Sequence, residues 1–144
     1  MIKELTIVTK LEKLKEYAGY LKGYQKLTLE DIRNDHTLQG AILHYLQLSI
    51  ESIIDIGEVI ISEHNLRKPK EAREVFKILA EKEIIPLKFS SRLALAAGFR
   101  NLLVHEYAIV DLKKAYSHLH KDLSDFDLFA RYIAKFLKGK KLAS

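Results

Sequence analysis

The spacing of apolar positions predicts helices along the chain. From Leu5 to Leu21 they recur every three or four residues with charged residues between them, which is typical of an amphipathic helix with one buried face. The predicted buried stripe consists of Leu5, Val8, Leu11, Leu14, Ala18 and Leu21. From about Leu38 to Ser62 the apolar positions cover more than one face, which predicts a long central helix.

Polar residues and prolines indicate where the helices begin and end. Thr28 with Asp31 three positions later is typical of a capping box, and Asp35 is a second N-cap candidate before the central helix. We therefore expect a short helical turn between the first two long helices. Pro69 and Pro86 break the helical pattern, so a further helix is expected after each of them.

The C-terminal third of the sequence contains the helix expected after Pro86 and one further helix. The first contains small residues at positions 94–98, which permit another helix to approach closely, and the last begins at an N-cap, Asp111. No segment requires a strand. The predicted fold is all-α, a single up-and-down helical bundle of about five helices spanning residues 1–138, followed by a basic flexible tail at 139–144.

Composition narrows the class of protein. A chain of 144 residues is the size of one domain, and the 48% hydrophobic content is enough for one core. Cysteine is absent, which excludes disulfides and thiolate metal sites. No apolar run approaches the ~18 residues of a membrane helix. We expect a cytoplasmic protein with no membrane association.

The net charge of +5 is located at one end of the chain. Residues 128–144 carry five basic residues and no acidic ones, so residues 1–127 balance at 19 basic against 19 acidic. A short basic end of this kind is typical of a solvated terminus. Charge alone therefore does not indicate a nucleic-acid-binding protein.

The octapeptide "RNLLVHEY", residues 100–107, carries the most concentrated set of polar groups in an otherwise apolar segment. On a continuous helix Arg100 and His105 point roughly 140° apart, whereas Arg100 and Tyr107 share a face. Arg100 and His105 can meet if the helix ends near 103–105, or if a second copy of the chain completes the site. The alternative is that all three side chains are structural, hydrogen-bonded within the bundle.

The same residues resemble a known signature. Arg100, His105 and Tyr107 are similar to the R-x4-H-x-Y motif of the HepT-like HEPN proteins, including the polar residue, Asn101, directly after the arginine. The resemblance covers most of the chain: "LQLSIESIIDIGEVII" resembles the second helix of that family, and "RNLLVHEYAIVDLKKAYSHL" its fourth and fifth. It implies a HEPN-like bundle.

The resemblance also implies a function: a metal-independent endoribonuclease toxin with Arg100 and His105 as catalytic residues. Its partners would be RNA and a nucleotidyltransferase-like (MntA-like) antitoxin that attaches AMP to Tyr107. The side chains suit this chemistry, because His105 can exchange protons near neutrality and the Arg100 guanidinium matches phosphate oxygens. Asn101 is expected to hold the scissile phosphate or to orient His105. No cofactor or metal is expected.

Two acids on the central helix are secondary candidates. Glu51 and Asp55 lie one turn apart, and a structural pair is as plausible as a catalytic one. Arg100 is their natural partner, so both are predicted to support it. His118 and His120 lie two positions apart and therefore point to different helix faces, which does not indicate a metal site.

Other functions remain open from the sequence. The chain can also be interpreted as a non-catalytic HEPN-like helical dimer that binds nucleotide or docks a nucleotidyltransferase, or as a purely structural dimer. A homodimer is expected in each case, and most strongly for the enzyme, because the second copy completes the divergent motif.

Overall fold

The computed structural model of the protein describes residues 2–105 and 110–143. Within these ranges the chain forms six helices and no strand: α1 Ile2–Tyr24, α2 Leu29–Arg33, α3 His36–Glu63, α4 Ala72–Glu81, α5 Leu87–His105 and α6 Leu112–Ala143. The all-α bundle is confirmed, and α2 is the predicted short helical turn. None of the helices in the described ranges is long and apolar enough to cross a membrane.

The predicted helix starts are confirmed by their hydrogen bonds. At α2, the Thr28 hydroxyl accepts from the Asp31 backbone N–H at 3.1 Å, and the Asp31 carboxylate accepts from the Thr28 backbone N–H at 2.9 Å. The carboxylates of Asp35 and Asp111 accept backbone N–H groups at the starts of α3 and α6. These caps are local, so they follow from residues three positions apart or fewer.

Helix α3 is the centre of the bundle, since it packs against α1, α4, α5 and α6. This explains why its apolar positions extend beyond one face. The buried residues of α3 are Ile42, Leu43, Leu46, Ser49, Ile50, Ser52, Ile53, Ile54, Ile56, Gly57, Ile60 and Ile61.

The buried face of α1 differs from the predicted stripe. Ile7, Leu14 and Leu21, spaced by seven, are buried, whereas Leu5 is 67% exposed and Val8 is 38% exposed. At ~100° per residue, Leu5 lies about 180° from Leu14 and Val8 about 120°, so neither shares its face. The prediction was correct at Leu14 and Leu21 and wrong at Leu5 and Val8, because each step of three residues falls about 60° short of a full turn and three such steps separate Leu5 from Leu14.

Helix α6 extends beyond the predicted end of the bundle. Its backbone remains helical to Ala143 without a break at residue 138, where a basic flexible tail was expected to follow. The division into a bundle at 1–138 and a flexible tail at 139–144 stays a prediction.

Helices α5 and α6 run antiparallel. Phe99 stacks on His118, while Arg92, two turns earlier on α5, pairs with Asp125 further along α6. The end of α5 therefore lies beside the first turns of α6, and this arrangement determines the surroundings of residues 100–105.

The tightest glycine contact joins α3 to α4. A methyl group added at Gly57 would overlap the Cγ1 atom of Val75, which is fully buried. At Gly98, where the sequence predicted a close approach, an added methyl would meet only the end of the Arg73 side chain at 3.9 Å. The close approach of α4 to α3 therefore depends on Gly57.

Gly57→Ala should lower the free energy of unfolding by about 1–3 kcal/mol, because Val75 cannot move aside within the packed core. Gly19→Ala is the matched control, since nothing lies within 4 Å of an added methyl on this part of α1. Because alanine has a higher helix propensity than glycine, Gly19→Ala should raise the free energy of unfolding by about 0.5–1 kcal/mol. Urea denaturation measures both, and a Gly57→Ala variant as stable as the parent would contradict this packing.

Candidate active site

The octapeptide lies at the C-terminal end of α5. This helix continues through His105, so Arg100 and His105 both have helical geometry. At ~100° per residue, five positions separate their directions by roughly 140°. A break in the helix between them, which would have turned them toward each other, is not present.

Arg100 lies on the side of α5 that faces the core. Its neighbours on this face, Leu93, Ala97 and Leu103, are buried, and Arg100 itself is half-buried. Its Nε atom is buried and has no hydrogen-bond partner among the described residues. A buried donor without a partner costs about 1–3 kcal/mol. Arg100 thus has a hydrogen-bond donor inside the bundle that is not used by the described residues.

His105 is the last residue of α5 and is exposed to solvent. Asn101 lies one helical turn before it and is half-buried. Residues four positions apart on a helix are neighbours on its surface, so Asn101 and His105 lie on one face. That face is distinct from the one that carries Arg100.

The two acids of α3 have other partners. Glu51 accepts a hydrogen bond from Gln47 Nε2 at 3.1 Å, and Asp55 pairs with Lys10 of α1, Oδ2 to Nζ, at 3.4 Å. Within the described residues, neither carboxylate bonds to Arg100. The predicted pairing is therefore wrong for this chain, because a glutamine one turn earlier and a lysine of the adjacent helix take its place.

Tyr107, the expected modification site, lies outside the described residues, as do the other residues at 106–109. Its position in the sequence still places it two residues after His105 and five before Leu112, the first residue of α6.

A histidine and an aspartate that the sequence analysis did not join form a pair beside this site. His118 Nδ1 lies 2.8 Å from Asp122 Oδ2, and the imidazole stacks on Phe99 with 4.2 Å between ring centroids. Burial raises the pKa of Asp122, and the hydrogen bond to His118 opposes this change. The signal in the sequence was the four-residue spacing of His118 and Asp122 on one helix.

His120 has a structural role. Its two ring nitrogens each lie 2.9 Å from a carbonyl oxygen, that of Tyr116 on α6 and that of Gln25 after α1. In the parts of the chain that the structure describes, histidine, aspartate and glutamate do not gather in groups of three or more suited to a metal ion.

Known proteins are similar to this chain over most of its length. The model of the ribonuclease HepT-like family matches residues 7–133. A tRNA nuclease HepT from Aphanizomenon flos-aquae is 29% identical over 136 residues, which cover 94% of this chain and 92% of that protein. An mRNA nuclease HepT from Shewanella oneidensis is 32% identical over 97 residues, which cover 67% of this chain and 73% of that protein.

Solved structures share the fold. A tri-AMPylated HEPN toxin from Shewanella oneidensis, in complex with an MNT antitoxin, superimposes with a TM-score of 0.81 at 27% identity, covering 90% of this chain and 96% of that chain. YutE, a cytosolic protein of unknown function from Bacillus subtilis, has a TM-score of 0.83 at 20% identity, covering 95% and 92%. The second likeness concerns the fold alone. The chain belongs to the ribonuclease HepT-like family, which confirms the resemblance of its octapeptide and the predicted class of enzyme, a ribonuclease.

Proposed function

We propose that this protein is the toxin of a toxin–antitoxin pair, a cytoplasmic endoribonuclease that cleaves RNA without a metal ion or cofactor. The observation that carries the proposal is the half-buried Arg100, whose Nε has no partner within residues 2–105 and 110–143, at the same end of α5 as the exposed His105. The nuclease names of its relatives and the antitoxin complex of the Shewanella toxin support it.

The residues suit an intramolecular transesterification of RNA. The ribose 2′-oxygen loses its proton and forms a bond to the adjacent phosphorus, while the bond from phosphorus to the 5′-oxygen breaks. The products are a 2′,3′-cyclic phosphate and a 5′-hydroxyl, which takes up a proton. His105 can accept or donate these protons near neutral pH, and Arg100 can stabilise the charge that builds on the phosphorane oxygens.

A two-fold homodimer completes the site. Arg100 and His105 diverge by roughly 140° within one chain, so the Arg100 of one copy and the His105 of the other are the pair that meets across a shared cleft. Val104, which is 43% exposed beside His105, offers an apolar contact at this position. The interface should be of the obligate kind, roughly 2,000 Å² or more in total.

The other candidate residues act around this pair. Asn101, on the face of His105, orients the imidazole or holds the scissile phosphate. Glu51 and Asp55 act indirectly, since Asp55 ties α1 to α3 through Lys10 and neither acid neutralises Arg100. The guanidinium therefore remains available for phosphate.

His105→Ala and Arg100→Met should each lower RNA cleavage in EDTA by at least about 10²-fold, because they remove proton transfer and charge stabilisation. Arg100→Met should not lower the free energy of unfolding and should raise it by up to about 1–3 kcal/mol, since it removes a buried donor that has no partner among the described residues. His36→Ala, at the exposed start of α3, is the matched histidine control and should cleave normally.

Cleavage is followed with purified RNA, and the 2′,3′-cyclic ends are identified by mass spectrometry. If both active-site variants remain within a few fold of the parent, the ribonuclease site lies elsewhere. If the parent is inactive in EDTA and Mg²⁺ restores it, the metal-independent mechanism is wrong.

Regulation is proposed to act through Tyr107. The nucleotidyltransferase antitoxin transfers AMP from ATP: the Tyr107 Oη forms a bond to the α-phosphate, the bond to the β-phosphate breaks, and pyrophosphate leaves. Tyr107 follows Arg100 by seven positions and His105 by two. The attached phosphate then competes with RNA for the guanidinium, and the adenosine fills the cleft. The AMPylated Shewanella toxin supports this proposal.

Incubation with the antitoxin, ATP and Mg²⁺ should add one or more AMP units to the intact mass of the parent and abolish cleavage. Tyr107→Phe should gain no AMP and should keep cutting RNA. Tyr20→Phe, a change at an exposed tyrosine of α1, should be modified and silenced like the parent. Silencing of Tyr107→Phe without any gain in mass would instead assign inhibition to steric docking.

A further inference from the structure

A groove of about 520 Å³ runs between α5 and α6. Its α5 wall includes Ala94, Gly98 and Leu102, spaced by four residues. His105 is seven residues beyond Gly98, so it continues the same helical face, ~10 Å further along the axis. The groove therefore leads toward the catalytic histidine and away from the buried face of Arg100.

The α6 wall of the groove carries two exposed cations. Lys114 and Lys121 lie seven positions apart, on one face and ~10 Å apart along the helix. Neither forms a salt bridge with another residue in the described ranges. Arg92 also lines the groove, but its guanidinium is paired with Asp125 at 3.1 Å, which neutralises that carboxylate. Besides Asp125, the only other carboxylate that lines the groove among the described residues is the buried Asp122, which lies within the field of Lys121. The two lysine charges therefore exceed the negative charge that remains in the groove.

His118 lies between the two lysines on the same face of α6. It is four positions after Lys114 and three before Lys121, and its side chain is 20% exposed. Asp122 takes the Nδ1 edge and Phe99 supports one ring face, so the Nε2 edge is the part of the ring available to a ligand. Asp122 is buried, and its hydrogen bond to Nδ1 orients the imidazole.

We propose that this groove binds the phosphate backbone of RNA on its way to His105, with Lys114, His118 and Lys121 contacting the phosphates. The proposal rests on the ribonuclease function and extends it from the cleavage site to the adjoining substrate. A row of unpaired cations with a fixed imidazole suits a polyanion, because sequence-independent affinity for nucleic acid comes from neutralised phosphates. His118 is a positioning residue here, since it lies away from the bond that breaks.

Binding is measured in the His105→Ala background, which keeps the RNA intact, by fluorescence anisotropy of a labelled single-stranded RNA across a salt titration. Adding Lys114→Ala and Lys121→Ala removes two phosphate contacts. The slope of log K against log[salt] should become shallower by about 1.4, and the Kd should rise roughly 25-fold at 0.1 M salt. Lys15→Ala with Lys22→Ala removes the same charge from exposed positions of α1, so the salt slope should stay at the parental value and the Kd should change by no more than about twofold.

His118 is tested in the active protein. His118→Ala should raise KM by roughly 3–10-fold and leave kcat within about twofold, because the lost contact is made equally before and during the reaction. His36→Ala removes an exposed imidazole at the start of α3, outside the groove, so its KM should stay close to that of the parent. A fall in kcat with unchanged KM would overturn the positioning role.

The outcomes separate this proposal from the one on which it depends. If the double lysine variant binds RNA with the parental Kd and salt slope while the parent cleaves RNA, the groove proposal is wrong and the ribonuclease function stands. If the variant loses antitoxin binding alone, the groove is a protein interface and the proposal is again wrong. If the parent neither binds nor cleaves RNA, both proposals fail.

Discussion

The unbroken course of α5 through His105 is the constraint on which the site depends. A helix turns about 100° per residue, so a spacing of five places Arg100 and His105 on different faces of one rod. Arg100 lies on the face that packs into the bundle and is half-buried, whereas His105 lies on a face that is exposed to solvent. A single chain therefore presents two half-sites, and the two-fold pairing proposed above is the arrangement that joins them.

The packing of the bundle preserves the reactivity of Arg100. In the part of the chain that the structure describes, no group accepts a hydrogen bond from its buried Nε. The two candidate acids on α3 have other partners, Lys10 for Asp55 and Gln47 for Glu51. Such a donor lowers stability by about 1–3 kcal/mol, and the large apolar surface around α3 offsets it. In the proposed reaction the guanidinium offers its other N–H donors to a phosphate oxygen, and a donor fixed in advance is what stabilisation of developing charge requires.

Local features were predictable from the sequence, and contacts between distant helices were not. The caps at Thr28 and Asp35 depend on residues three positions away, and both are confirmed. The exposure of Leu5 was not predicted, because three consecutive steps of three residues turn the helix by about 180° between Leu5 and Leu14. The proposed acid partners of Arg100 were wrong because Lys10, which takes Asp55, comes from another helix. The role of the His118–Asp122 pair could not be predicted from the sequence, because it depends on the packing of α6 against Phe99 of α5.

The shared site is the central claim, and a defined heterodimer tests it most directly. Arg100→Met and His105→Ala chains are co-expressed with different tags and purified through both. If Arg100 of one copy acts with His105 of the other, each heterodimer retains one complete site and should cleave RNA at about half the parental rate, although each variant alone is inactive. A heterodimer as inactive as the two variant homodimers would show that Arg100 and His105 of the same chain act together, and would contradict the shared site.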